Sequence, residues 1–383
     1  MSALRVACVG SGFSGAVIAR TLAERAGLEV DVFESEPYVG GHCHTERDER
    51  TGVMVHRHGP HIFNTQFDDV WSFVNRFTVF RDYVHKVRAI TSRGVFGLPI
   101  NLKTLNDFFG EELTAETAPG FLEAQGDKSI AEPRNFEEQA LRMLGRDLYE
   151  AFFHGYTRKQ WGVDPTELPA SIFQRLPVRM SYDDNYHISR YTGIPEQGYT
   201  QLIASILDHP KIRLRLGQTF EASDAASYDR VFYSGPIDGW FGRRHGRLRY
   251  RTLRFEAIYQ EGDYQGTSQV NFCQESVPWT RVTEHKHFAA WESHSETVAH
   301  KEFSSACGPD DTPYYPLRLV DDRSTLAQYV ELADREGGNL TFVGRLGTYR
   351  YLNMDQVIKE ALDTAEGFLA APHDAARFSK DPL

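Results

Sequence analysis

The residues of this chain that can do chemistry begin with Gly10-x-Gly12-x-x-Gly15 in "GSGFSG" and with Glu34, which closes the apolar run "VDVFE". Glycines at that spacing let the backbone turn tightly and lie against a pyrophosphate. The helix that follows presents free N–H groups to the anion, and an acid ending the second strand accepts from a ribose hydroxyl. This is the chemistry of dinucleotide binding. A second concentration lies in "GHCHTERDERTGVMVHRHGPHIFNT", which holds His42, His44, His56, His58 and His61. The H-x-H spacings suggest metal ligation. Zinc, however, wants four converging ligands with oriented partners, and no Cys or carboxylate cluster at metal spacing joins these histidines, so no metal is expected.

The elements that must position these residues follow from pattern. An apolar strand "RVACV", the glycine turn, an amphipathic helix and "VDVFE" make a βαβ unit. Two features favour FAD over NAD. "YVGGHCHT" lets the backbone lie along a long buried cofactor, and a helix starts at Asn353 after "GRL" with Asn353 and Gln356 in capping-box positions. A helix N-terminus aimed at a flavin's pyrimidine end stabilises the negative charge of the reduced form. Between these ends, "LKTLNDFF" and "NFEEQALRMLGRDLYEAFFHGYTRKQW", with Asn135 as N-cap and Glu138 behind it, predict a mainly helical insertion. From about Leu248 to Phe303, "LRFEAIYQE", "SQVNFC" and "HFAAWES" read as antiparallel strands. The tail "APHDAARFSKDPL" reads as a frayed end.

Composition narrows the function class. A chain of 383 residues is expected to form two or three domains. The net charge of −11 disfavours nucleic acid, although a locally basic cleft can still hold an anionic small molecule. The four cysteines lack a CxxC pair, which argues against a disulfide framework. No apolar run is long enough to cross a bilayer, and the N-terminus reads as a first strand rather than a signal peptide, so no membrane and a cytoplasmic location are expected.

The segments "GPHIF", "GYTRKQWG", "ELPASIFQRLPVR", "YTGIPEQGYTQLI", "YSGPID", "VPWTRVTEHKHF", "PYYPL" and "GRLGTYRYLNMDQVI" make the chain similar to bacterial UDP-galactopyranose mutases over nearly its whole length. The resemblance implies an α/β fold. A discontinuous Rossmann-like FAD-binding domain (1–79, 194–240 and 336–383) is joined by a helical domain with a mobile loop (102–180) and a twisted antiparallel sheet domain (80–101, 181–193 and 241–335). It implies an isomerase that interconverts UDP-galactopyranose and UDP-galactofuranose without net redox, the N5 of reduced FAD acting as nucleophile at the sugar C1. It also implies an external electron donor and a homodimer.

Residue by residue, the resemblance assigns Gly10, Gly12, Ser14, Gly15, Glu34, Gly41, His42, His61, Ile62, Thr219, Phe220, Arg345, Met354, Asp355, Gln356 and Val357 to the cofactor. His85, Thr157, Trp161, Arg175, Tyr186, Asn271, Arg281, Tyr315 and Tyr351 are assigned to the nucleotide sugar, with Tyr315 preferred over Tyr314. Arg175, Arg345 and His61 are the catalytic set; Arg179 is read as a loop-stabilising charge, and His44 and His56 as structural. Arginines converging from separate segments suit a diphosphate, since each guanidinium offers paired donors. The chain departs from the usual pattern at Asn64, His58, His187 and Asn353. This leaves a mutase of another nucleotide sugar (arabinose, fucose or N-acetylgalactosamine type) as the alternative, with a flavin oxidoreductase behind it.

Overall fold

The structure, a computed structural model, describes residues 4–173 and 178–383. Its first layer is a five-stranded parallel sheet ordered Ile212–Arg215, Val30–Phe33, Val6–Val9, Arg230–Tyr233, Leu340–Phe342. A parallel sheet must be covered on both faces, and alternation along the first strand shows how. Val6 and Cys8 turn into a core with the helices Phe13–Ala26, Gly198–Leu207 and Met354–Ala370. Ala7 turns the other way, into a core with Val231, Leu326, Tyr329 and Leu332. The helix Val320–Glu336 therefore packs on this sheet, whereas a boundary at 335/336 had set it with the antiparallel layer.

The second layer is a seven-stranded sheet ordered Tyr315–Pro316, Tyr250–Glu261, Glu296–Ala306, Arg281–Glu284, Gln269–Phe272, Val87–Thr91, Gly94–Leu98. It is mixed rather than wholly antiparallel, because Gln269–Phe272 runs parallel to Val87–Thr91. "HFAAWES" is not a strand. After Glu284 the chain makes a 3₁₀ turn, His285–Phe288, and Phe288 packs with Ile62 and Ile194. Burial of that one ring overrides the local strand pattern. A small antiparallel sheet of Phe63–Thr65, Tyr191–Pro195 and Phe80–Asp82 bridges the layers.

The helical layer surrounds Leu105, Phe136, Leu141, Phe152 and Phe173. Asn135 caps the helix Phe136–Leu144 by accepting from Glu138 N–H at 2.9 Å. Gly145, at φ +79°, ends it, and a π-helical segment Tyr149–His154 leads into the helix Gly155–Trp161. The tail is tied down rather than frayed. Phe342 donates its N–H to Arg377 O at 2.8 Å, Ser379 N–H donates to Phe342 O at 2.9 Å, and Arg318 donates to Pro382 O at 3.0 Å. The outer edge of Leu340–Phe342 supplies hydrogen bonds that the tail's composition does not reveal.

Candidate active site

One cleft of about 1270 Å³ runs from the C-terminal ends of the parallel strands to the helical layer and the mixed sheet. Its first wall is backbone. Gly10, at φ +100°, turns the chain from strand to helix, and Gly12 caps the helix Phe13–Ala26, whose first turn carries neither a side-chain cap nor an acid. The free N–H groups there suit an anion. Gly41 lies across from Gly12, where an added Cβ would come within 3.3 Å of the Gly12 Cα. A side chain at Gly41 would press on Gly12, and the Gly41 φ of +52° favours glycine as well. Glu34 ends its strand buried, and its Oε2 accepts Ser11 N–H at 2.9 Å and Ser11 Oγ–H at 2.8 Å. Thr219, Phe220, Ser14, His42, Ile62, Met354, Gln356 and Val357 line the same wall.

Two residues assigned to the cofactor do other work. A Cβ on Gly15 would meet Gly10 O at 2.0 Å, so Gly15 serves helix–strand packing and does not line the cleft. Asp355 does not line it either; its carboxyl hydrogen-bonds Thr65 and its pKa is raised, chiefly by burial. The capping box at the start of Met354–Ala370 is formed, with Asn353 N–H donating to Gln356 Oε1 at 3.0 Å.

The opposite wall is made of side chains from separate segments. His85, Thr157, Trp161, Tyr186, Asn271, Arg281, Tyr315 and Tyr351 all line the cleft, while Arg175 lies outside the described residues. Arg345 donates to Leu352 O at 2.6 Å and Tyr314 O at 3.2 Å, and its guanidinium sits over the rings of Tyr351 (5.1 Å) and Tyr315 (5.5 Å). Its charge faces the cleft without a carboxylate partner among the described residues. Arg281 differs: its Nη2 pairs with the fully buried Glu302 at 2.7 Å. Burial works against the Arg281 charge, but Glu302 more than offsets it, and the pKa is raised. Glu302 carries no local motif; it stands directly opposite Arg281 in strand register, which sequence alone does not disclose. Tyr315 lines the cleft, whereas Tyr314 is buried, with its hydroxyl 2.7 Å from His58 Nδ1.

His42, His56, His58, His61, His85 and His187 are held toward the neutral form, chiefly by burial. Burial, then His56 and Arg345, push the His61 pKa well below its ordinary value. His61 Nδ1 lies 2.8 Å from Gly59 O and must donate there, which leaves Nε2 as an acceptor. Burial lowers His42 and His56 to about 3 and His58 to about 4. His85 falls to about 3 through burial, His187 and Arg281, and its Nδ1 has no hydrogen-bond partner. His187 stacks on it with centroids 5.8 Å apart. Asn64 lines the cleft with its amide oriented: Oδ1 accepts from Ser189 Oγ at 2.9 Å and Nδ2 donates to Ile62 O at 3.2 Å. Arg179 is a loop clamp, donating to Tyr186 O at 3.2 Å and pairing with Asp183. Among the described residues the grouping with metal-like donor convergence is Asp263, Glu284 and His287, which includes none of the five histidines. Glu284 there already accepts N–H groups from Tyr264, Gln265 and Gly266 and the Thr297 hydroxyl.

Sequence reasoning passed over Phe152, Phe153, Gln160, Gln269, Arg318, Arg323 and Arg350 as cleft residues. Gln160 had a signal in its place in "YTRKQW" one turn after Tyr156, and Arg350 in its place within "GRLGTYRYLNMDQVI".

A glycine cradle faces a wall of tyrosines and arginine across one cleft, the layout of an enzyme site. The comparisons carry this further. Residues 8–77 match the model of an NAD(P)-binding Rossmann-like domain, and residues 151–351 match the UDP-galactopyranose mutase family model. A Klebsiella pneumoniae protein described as "Probable UDP-galactopyranose mutase" is 50% identical over 97% of this chain and 96% of its own. An Escherichia coli dTDP-fucopyranose mutase is 46% identical over 95% of this chain and 98% of its own. A crystal structure of reduced UDP-galactopyranose mutase shares the fold, with a TM-score of 0.76 at 16% identity, covering 100% of this chain and 97% of the other. The chain belongs to the UDP-galactopyranose mutase family, a family of isomerases. Among the described residues no helix is long and apolar enough to cross a membrane.

Proposed function

We propose that the cleft binds FAD along the glycine wall and a nucleoside diphosphate sugar along the tyrosine–arginine wall, and that the enzyme interconverts UDP-galactopyranose and UDP-galactofuranose. The observation that carries this is Arg345, a guanidinium without a carboxylate partner among the described residues, lying over the two stacked rings of Tyr315 and Tyr351. The facing backbones at Gly12 and Gly41 fit a flat pyrophosphate-linked cofactor. When bound and reduced, FAD supplies a nucleophilic nitrogen, N5, toward the sugar C1.

The chain's own residues do the rest. Thr157 and Trp161 hold the uridine, with Tyr156 beside them. Arg345, and Arg175 from outside the described residues, stabilise the departing diphosphate. Tyr186, Tyr315 and Tyr351 offer hydroxyls to the phosphates without adding charge, and Arg281, already balanced by Glu302, orients rather than neutralises. Neutral His61 accepts through Nε2 beside the reacting centre. Asn271 and His85 contact the sugar.

We further propose a cytoplasmic homodimer supplied by an external electron donor. Its FAD-binding domain comprises 1–79, 194–240 and 320–383, its helical domain 102–180, and its sheet domain 80–101, 181–193 and 241–319. The helix Val320–Glu336 joins the FAD domain because it shares that core. A second reading, a mutase of a deoxyhexose carried on dTDP, is favoured by the similar fucopyranose relative and by Asn64, His58 and His187 in the cleft. The deciding experiment incubates dithionite-reduced and oxidised enzyme with UDP- and dTDP-pyranoses and separates the isomers. Conversion of UDP-galactose by the reduced enzyme alone supports the first reading, and conversion of a dTDP-deoxyhexose alone supports the second. Oxygen consumption without isomerisation overturns both.

A further inference from the structure

The helix Gly155–Trp161 brings Tyr156, Thr157, Gln160 and Trp161 to the cleft, and Lys159 is the residue on it that no chemistry has yet claimed. Its Nζ lies 2.6 Å from Phe272 O, 2.8 Å from Gln274 O, 3.0 Å from Val277 O and 3.0 Å from Trp279 O. These carbonyls come from one turn, between the strands Gln269–Phe272 and Arg281–Glu284. The strand before the turn carries Asn271, and Arg281 opens the strand after it; both line the cleft.

Four carbonyl oxygens converging on one point repel each other unless a cation sits among them. A ring of backbone carbonyls is how proteins replace the hydration shell of an alkali or ammonium ion. Burial lowers the Lys159 pKa to about 8, so the ammonium still carries its charge at pH 7. The rest of the contact is built for close approach. A Cβ on Gly155 would meet Cys273 O at 2.4 Å, so a side chain there would hold the helix off the turn. Arg158 pairs with Glu275 of the turn at 3.2 Å. From the other side, Arg251 donates to Gln160 O at 3.0 Å and Lys159 O at 3.2 Å, and Ser304 donates to Gln160 O at 2.7 Å.

We infer that Lys159 is a tethered cation whose ammonium organises a carbonyl cage, and that it acts as a positioning residue, fixing the nucleotide-facing helix against the turn flanked by Asn271 and Arg281. The inference rests on the reading that this helix meets the nucleotide. Removing the ammonium leaves the carbonyls buried and uncompensated, so the helix shifts from the turn and the two sides of the nucleotide site lose register. The FAD wall, built from other segments, is untouched.

The test uses the FAD-loaded full-length enzyme at pH 7 and UDP as probe, with binding read from tryptophan fluorescence. Lys159→Ala is expected to keep the wild-type flavin spectrum and FAD content while its UDP affinity falls roughly tenfold or more, the scale set by leaving buried acceptors unpaired. Ammonium or potassium chloride should recover much of that loss by filling the cage, while tetramethylammonium chloride at the same ionic strength should not. Lys159→Arg, which keeps a charged donor, should bind UDP more tightly than Lys159→Ala, and it serves as the test if the alanine variant does not fold. Wild-type-like UDP affinity in Lys159→Ala overturns the inference, as does equal recovery by all three salts, or Lys159→Arg with wild-type FAD content and no UDP binding. Failure of the wild-type enzyme itself to bind UDP overturns instead the nucleotide reading on which the inference stands.

Discussion

The two walls of the cleft are built by opposite means. The glycine wall is mostly backbone: Gly10, Gly12 and Gly41 bring bare main chain together, beside the uncapped N-terminus of the helix Phe13–Ala26. The wall facing it is mostly side chain, and its charged members are restrained by partners on other elements. Arg281 is held by Glu302, Arg345 by two carbonyls and two rings, and the helix Gly155–Trp161 by Lys159 and Arg251. A backbone wall is rigid and tolerates almost no added volume. A side-chain wall tolerates volume but depends on paired charge.

That contrast can be broken most directly at Glu302→Gln. The change leaves the half-buried Arg281 without its counter-charge, and we expect a loss of about 3 kcal/mol in urea unfolding. The cofactor should still bind to whatever fraction stays folded. A loss below about 1 kcal/mol would mean that the pair is not what organises this wall. On the backbone side, Gly15→Ala puts a methyl group 2.0 Å from Gly10 O. The backbone must give, at a cost of about 1–3 kcal/mol, and FAD retention through gel filtration should drop. Unchanged retention would show that the glycine wall is more plastic than its geometry implies.

The buried histidines at the junction of the walls give a pH test. His56 and His85 are 1% and 3% exposed, with pKa values lowered to about 3 by burial, joined for His85 by His187 and Arg281. Between about 3 and the ordinary histidine value near 6.5 the unfolded chain binds more protons than the native one. Stability is therefore fully present above about pH 6.5 and falls as pH drops, by up to about 1.4 kcal/mol per pH unit for each ring. Urea midpoints between pH 7 and pH 4.5 measure this, and His56→Phe should flatten the slope even if it lowers the plateau. The smallest effect is expected for Asn353→Ala, which removes one half of a capping box and costs about 1 kcal/mol in thermal unfolding. A much larger loss of FAD than of stability would give that helix start a direct part in holding the cofactor.

The same contrast explains what could be read early. Gly10, Gly12 and Glu34 were legible because each conformational demand is local: a turn, a close approach, a strand end. The helix starts at Asn135 and Asn353 were legible for the same reason, since a cap and its partner lie within one turn. "HFAAWES" misled because alternation suggested a strand while Phe288 was drawn into a core with Ile62 and Ile194. The tail misled because its hydrogen-bond partners sit on Leu340–Phe342 and at Arg318. The resemblance named cleft residues on the tyrosine–arginine wall, yet it did not show that Arg281 comes paired, nor that Tyr314 turns away to His58.

By itself the sequence determined the βαβ nucleotide cradle, the positions of the helix starts and the family, because glycine geometry, capping and motif order act over a few residues. Only the tertiary structure decided which charges face the cleft neutralised and which do not, and that Lys159 closes a carbonyl cage. Those outcomes depend on strand register and on groups more than a hundred residues apart, as Lys159 is from Phe272, and no local pattern encodes the distance between them.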